Sequence, residues 1–332
     1  ADLQLRDFTI NAFALPLDVS FPDSKLLDPL SGSHHLQQKQ LHSCSRQSFL
    51  DDPLRMLKGI RHAVTLGFAL SDETRKEITT SKDLLDNVAG ERIRDELGKI
   101  LDAENVINGI ELLIDTGLLR VIFGSEGWQW DRYKAIDEIG SLNAKILEIE
   151  RLSKSELAES GESELYSRRA IFLLSRLLKN YSPRDLSELL HDRLRLSRDL
   201  QRLLEELQTA PDLIFFTFLN AIDGQRRQAL LVEQLEPFAY EKMLYWGIFC
   251  DRMELKRLLI LQKSFSIEQK LGRIPDLLNG RQIASFLDGS SNTQIGKWQS
   301  RLKQAEINGE IETCEAAEDW LKKELLFDNP ET

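Results

Sequence analysis

Residues 186–207 read LSELLHDRLRLSRDLQRLLEEL, and Leu186, Leu189, Leu190, Leu194, Leu200, Leu203, Leu204 and Leu207 recur every three or four positions with charges between them. That spacing lines the apolar side chains along one stripe of an α-helix, whereas a half-buried strand would alternate them. The same pattern predicts helices over 52–66, 91–101, 105–117, 168–179, 239–263, 297–308 and 315–326. Breakers such as Ser182-Pro183, Ala210-Pro211 and Leu278-Asn279-Gly280 separate them. The chain therefore reads as mostly α. The first 45 or so residues differ: Lys25 to Asp28 and Gln40 to Cys44 are short, turn-bounded segments expected as strands, which suggests part of a sheet-containing unit. No repeat of fixed period and no low-complexity linker interrupts the pattern.

The 332 residues, 42% hydrophobic and 29% charged, are enough for two or more packed units and too apolar for disorder. No apolar run approaches the roughly 20 residues of a membrane span. The start Ala1-Asp2-Leu3 resembles neither a signal peptide nor a translation start, so the expectation is a cytoplasmic protein given in part. Cys44, Cys250 and Cys314 lie far apart without paired spacing, which supports neither a disulfide framework nor a zinc site. The net charge of −11 argues against a generally basic nucleic-acid binder, but its distribution is uneven. Tyr166 to Leu203 holds nine Arg or Lys against four acids, and Gln304 to Thr332 holds two Lys against nine acids. The middle suits phosphate and the tail does not, although the basic stretch equally suits the solvated side of helices.

Two segments carry candidate chemistry. In Arg6-Asp7-Phe8-Thr9-Ile10-Asn11, a guanidinium fork, a carboxylate, a hydroxyl and an amide stand close together, a set able to ion-pair with phosphate and hydrogen-bond ribose hydroxyls. The competing reading is the start of an element with Asp7 or Thr9 as its cap. In Asp51-Asp52-Pro53-Leu54-Arg55-Met56-Leu57-Lys58-Gly59-Ile60-Arg61, Pro53 suits a first helical turn with Asp51 or Asp52 at the N-cap. Arg55, Lys58 and Arg61 then follow at i+3 spacing near one face. Such a row could line a triphosphate, while an Asp acceptor beside an Arg donor reads the polar edge of a base; it also suits a capped helix with a basic solvated stripe.

Taken with Asp28-Pro29-Leu30-Ser31-Gly32 and Glu91-Arg92-Ile93-Arg94-Asp95-Glu96-Leu97, these blocks resemble, in order, the class II nucleotidyltransferases that comprise CCA-adding enzymes and bacterial poly(A) polymerases. A vaguer likeness continues through Leu277 to Ile311. The resemblance implies the remnant of an α/β nucleotidyltransferase head at 1–45, a helical neck that recognises the nucleotide at 46–115, a helical body at 116–210 and a helical tail, a candidate RNA binder, at 211–332. It places Arg6 at the triphosphate, Asp7, Thr9 and Asn11 in the ribose-selecting block, Asp52 and Arg55 on the incoming base, and Lys58 and Arg61 at nucleotide-contacting basic positions. Asp28, Gly32, Asp51, Glu91 and Arg92 would be structural supports. Arg168, Arg169, Arg176 and Arg184 are the candidate RNA contacts.

Several positions depart from the family pattern. Leu5 stands where Arg is usual, Asp51 replaces a Glu that would orient Arg55, Lys58 replaces Arg, and His35 replaces an Asp of the turn block. The family's metal-binding Asp-x-Asp pair is expected upstream of Arg6, so Mg²⁺ would be held mainly by residues outside this sequence, and the chain as given would bind nucleotide weakly without transferring it. Implied substrates are ATP and CTP, and the implied partner is the 3′ end of tRNA or another RNA, without a membrane. The reaction would be CCA addition or repair; CC-only, A-only and poly(A) addition are alternatives, and a non-catalytic RNA-binding helical protein is the alternative of another class. His191-Asp192, His34-His35 and the five Trp carry no metal or stacking role on their spacing.

Overall fold

The computed structural model describes residues 2–15, 26–124, 132–153, 167–209, 225–235, 238–248, 276–287 and 292–328. They are mostly helical and fall into two compact units, Ala1–Thr209 and Ala210–Thr332.

The first unit begins with little regular structure. A 3₁₀ turn at Thr9–Asn11 follows Phe8, and the short helix α1 (Gly32–Gln37) packs on it. The strand β1 (Gln40–Leu41) pairs in parallel with β2 (Ala69–Leu70), with Leu41 opposite Leu70. Isolated antiparallel bridges join Phe8 to Ser43 and Ala14 to Leu27. Of the expected strands, Gln40–Cys44 thus contributes two residues and a bridge. Leu27 contributes only a bridge, and Lys25 lies outside the described residues.

Helices α2 (Gln47–Asp51) and α3 (Arg55–Leu66) follow. The helix expected over 52–66 starts three residues late. Asp52 has extended backbone at φ −145° and ends α2, and the turn through Pro53 and Leu54 closes by Arg55 N–H to Asp52 O at 3.0 Å. Neither Asp51 nor Asp52 is therefore the N-cap of α3; Leu54 is, and it caps with no side chain. Met56, Leu57, Ile60, Ala63 and Val64 are buried at helical spacing, and Gly67 ends α3 at φ +66°, a conformation that costs a residue without Cβ least.

Beyond β2, α4 (Asp72–Ser81) is capped by the Ser71 hydroxyl, which accepts from Thr74 N–H. A 3₁₀ helix at Lys82–Asn87 leads to α5 (Gly90–Leu101), α6 (Val106–Asp115) and α7 (Leu118–Phe123). α3 packs against α5 and α6, and α5 also meets α9 (Arg168–Leu177), itself packed on α8 (Arg132–Ser153).

Residues 186–207 do not form the single helix their leucines suggest. α10 (Pro183–Glu188) passes into a π-helical turn at Leu189–Arg193, the backbone turns left-handed at Arg195 (φ 49°), and α11 (Arg198–Gln208) starts afresh under the Ser197 cap. Leu194 and Leu196 are buried all the same, so the leucine pattern reports burial through the break.

In the second unit, the described helices are α12 (Gln225–Glu233), α13 (Ala239–Gly247), α14 (Gly280–Phe286), α15 (Asn292–Asn308) and α16 (Cys314–Asp328). The continuation expected to residue 263 lies outside the described residues. Asn279 and Gln282 form a reciprocal capping box on α14, and Trp298, Leu302, Ile311 and Leu321 belong to one apolar cluster. Trp298 lies under the Arg301 guanidinium at 4.2 Å, and Trp320 donates Nε1–H to Glu310; Trp128 and Trp130 lie outside the described residues.

Candidate functional site

Four segments of the first 100 residues converge. Cys44 N–H donates to Asp7 O at 3.1 Å, Thr9 N–H to His42 O at 2.9 Å, and the Ser48 hydroxyl to Arg6 O at 3.3 Å, which fixes the Arg6–Asn11 segment against the entry to α2. Gly59 lets α3 approach that segment, since a Cβ there would stand 2.8 Å from the Phe8 ring. Gly32 does the same for α1, where a Cβ would meet Thr9 O at 2.1 Å. Asp28 holds the start of α1 by accepting from Gly32 N–H at 2.7 Å and from Ser33 N–H and hydroxyl. The Ser33 hydroxyl bond keeps its carboxyl below the usual carboxylate range.

Within this frame Arg6 donates to Asn11 O and faces Asp2 at 3.7 Å, while Asp7 accepts from Phe8 N–H and, at 3.4 Å, from the Asn11 amide. Thr9 bonds the His35 ring, which stacks on His42 at 3.8 Å. His35, where the family pattern has Asp, thus still ties α1 to the Thr9 segment. Burial lowers the pKa of both histidines and so favours their neutral rings.

The cation row of α3 is divided among different tasks. Arg55 turns back: its Nη1 donates to the Ser48 hydroxyl at 2.9 Å and to the Ser48 carbonyl at 3.3 Å. The Lys58 ammonium makes no ion pair or hydrogen bond with a described residue, its backbone N–H donating to Leu54 O within the helix. Arg61 donates Nε–H to Glu96 at 2.7 Å, and Glu96 also accepts from Lys99. Arg61 further donates to His62 Nε2, whose burial and cationic neighbour favour the neutral ring. The Cys44 thiol lies within the fields of Asp7, Arg55 and Arg6; burial, then Asp7, raise its pKa to about 11.

Asp52 is reached from α5. Arg92 Nη2 lies 3.1 and 3.3 Å from its two oxygens, so both of the residues assigned to the base are fastened, each by a different partner. Their side chains share no hydrogen bond; what joins them is the backbone bond from Arg55 N–H to the Asp52 carbonyl. Asp51, expected to orient Arg55, is exposed and accepts from Gln47 at 3.0 Å, while Ser48 does the orienting. Glu91 pairs with Arg195 at 3.2 Å rather than with a nucleotide-site residue. No pattern of spacing marks Ser48; only its burial, seven residues before Arg55, reveals the contact.

The basic stretch does not form one face. Arg169 is held by Asn143 and the Ala103 carbonyl, and Arg176 and Lys179 share Glu138. Arg184 remains 86% exposed beside Glu188. A cavity of about 700 Å³, lined by Lys82, Asp86 and Arg120 among others, contains none of the nominated nucleotide residues. Among the described residues no group of three or more His, Cys, Asp or Glu could hold a metal ion, and no helix is long and apolar enough to cross a membrane.

A family model described as "Probable RNA and SrmB- binding site of polymerase A" matches residues 67–127, from the end of α3 past α7. A CC-adding tRNA nucleotidyltransferase of Geobacter sulfurreducens is 31% identical over 334 residues, covering 98% of this chain and 75% of the relative. Among solved structures, the Thermotoga maritima CCA-adding enzyme complexed with tRNA is similar at a TM-score of 0.61 and 22% identity, over 98% of this chain and 73% of that one. A CCA-adding enzyme complexed with ATP gives 0.64 at 21% identity, over 98% and 72%. The likeness to these two structures is one of fold.

Proposed function

Because the chain belongs to the class II tRNA nucleotidyltransferase family, we propose that its α2–α3–α5 site selects the nucleotide added to the 3′ end of tRNA. Residues 46–115 would then be the nucleotide-recognising neck. In the reaction the tRNA 3′ oxygen forms a bond to the α-phosphorus of CTP or ATP, the bond to the bridging oxygen breaks, and pyrophosphate leaves with that electron pair as the hydroxyl loses its proton. What the residues of this site supply is binding and choice.

One observation carries the reading. Asp52, an acceptor, and Arg55, a donor fork, stand three residues apart across a tight turn, each oriented from a separate element, by Arg92 and Ser48. With Nη1 engaged by Ser48, Arg55 keeps Nε–H and Nη2 for a ligand, a complement to the acceptor-rich edge of cytosine, while Asp52 accepts from an exocyclic amine. Lys58, near His62 and without an ion-pair partner among the described residues, supplies charge for phosphate, and Arg6 supplies a second cation. Arg184 is the exposed candidate for tRNA phosphate.

Asp52→Ala and Arg55→Ala in the intact enzyme should scramble the choice among CTP, ATP and UTP while leaving tRNA affinity nearly unchanged. Unaltered choice in both variants would overturn the assignment. The Geobacter relative favours a second reading, CC addition alone. Sequencing the products from tRNA lacking CCA, tRNA ending in CC and unrelated RNA separates CC, CCA, A-only and poly(A) addition.

A further inference from the structure

We propose that Ser48, not the family-position carboxylate Asp51, positions Arg55 for nucleotide choice. Ser48 is 1% exposed, and its hydroxyl has two partners: it accepts from Arg55 Nη1 at 2.9 Å and donates to Arg6 O at 3.3 Å. Its carbonyl receives the same Nη1 at 3.3 Å. One buried oxygen pair therefore sets the rotamer of Arg55, and the hydroxyl proton locks that pair to the segment carrying Arg6 and Asp7. A neutral hydroxyl suits this task. It orients the guanidinium without neutralising it, so the full positive charge and the other donors stay available. Asp51 faces solvent and accepts from Gln47, one helical turn before it, and it makes no hydrogen bond or ion pair with Arg55. The orienting group lies in the first turn of α2 and not at the position just before Asp52.

The inference rests on Arg55 reading the base, and the experiment tests the two separately. The readout is the ratio of kcat/KM for CTP over UTP in the intact enzyme, with melting temperature recorded for each variant. Ser48→Ala removes one oriented hydrogen bond to a charged donor and should lower the ratio about tenfold, toward the value of Arg55→Ala. Ser48→Thr keeps the hydroxyl and should restore most of the ratio. Asp51→Ala, a surface change, should stay within about twofold of the parent. Ser48→Ala combined with Arg55→Ala should be no worse than Arg55→Ala alone, because the hydroxyl acts through the guanidinium. If Arg55→Ala loses discrimination while Ser48→Ala keeps it, or Asp51→Ala loses it as fully, the positioning role is refuted and base reading stands. If Arg55→Ala itself keeps the parent ratio, base reading falls, and the role of Ser48 with it.

Discussion

Replacing Glu96 with Ala should destabilise the first unit, because it removes a buried carboxylate shared by two cations. Glu96 is 5% exposed, accepts from Arg61 at 2.7 Å on one oxygen and from Lys99 at 3.0 Å on the other, and so joins α3 to α5 at a buried point. Removing one member of a buried pair costs about 3–5 kcal/mol, chiefly by stranding the other charge. Arg61 keeps 23% of its side-chain surface and Lys99 57%, so part of that charge rehydrates and about 2–3 kcal/mol is the working figure. For a unit of this size that is a fall in melting temperature of about 5–10 °C at pH 7, read by circular dichroism. The pH dependence has a definite sign. Burial alone would raise the Glu96 pKa, but the hydrogen bonds and charges of Lys99 and Arg61 outweigh it and lower the pKa from its ordinary 4.5. A carboxylate depressed in the folded state stabilises fully above its unfolded pKa, and that contribution fades as pH falls through the folded value. The gap between the parent and Glu96→Gln should therefore be widest near neutrality and close in acid below the ordinary carboxylate range. A parent-like melting temperature for Glu96→Ala at pH 7, or a gap for Glu96→Gln that widens in acid, would refute the reasoning.

Two further outcomes follow from packing and burial. Gly90→Ala would place a Cβ 2.0 Å from the Arg193 carbonyl oxygen, a backbone atom that cannot swing aside, so the urea midpoint should fall by the equivalent of about 3 kcal/mol; an unchanged midpoint would contradict the close approach of α5 to the π-helical turn. The Cys44 thiol, raised to about 11 by burial and Asp7, should alkylate far more slowly with iodoacetamide at pH 8 than the exposed Cys314, and equal rates by peptide mapping would contradict the raised pKa.

The helical character of the chain was legible because burial imposes a period near 3.6 on apolar residues, and α3, α5, α6, α9 and α16 lie within a few residues of the segments that period marks. The same signal ran straight through residues 186–207, because leucines that line a core keep their spacing whether the backbone between them is α, π or irregular. What broke the helix was local: a π turn followed by Arg195 in the left-handed region, neither of which a non-glycine sequence announces. β2 was invisible for a related reason. Ala69 and Leu70 are too few to show alternation, and their pairing with β1 spans almost thirty residues of sequence.

At the site, residue types were legible and their partners were not. Arg55, Lys58 and Arg61 share a helical face, and equal spacing invites the conclusion that they share a ligand. Whether a cation is available is decided by what reaches it from elsewhere in the chain. Glu96, thirty-five residues later, takes Arg61 into a buried pair; Ser48, seven residues earlier, holds one nitrogen of Arg55 and leaves the rest; nothing among the described residues takes Lys58. Arg92 acts likewise on Asp52 across forty residues, so the acceptor and donor assigned to the base are set by two contacts that no local pattern contains. A protein that chooses nucleotides without a template needs its reading groups held rigidly before the base arrives, since side-chain ordering at that moment would weaken the discrimination. The residues that confer such rigidity, Ser48 and Arg92, are therefore where changes in specificity should be sought once Asp52 and Arg55 are themselves unchanged.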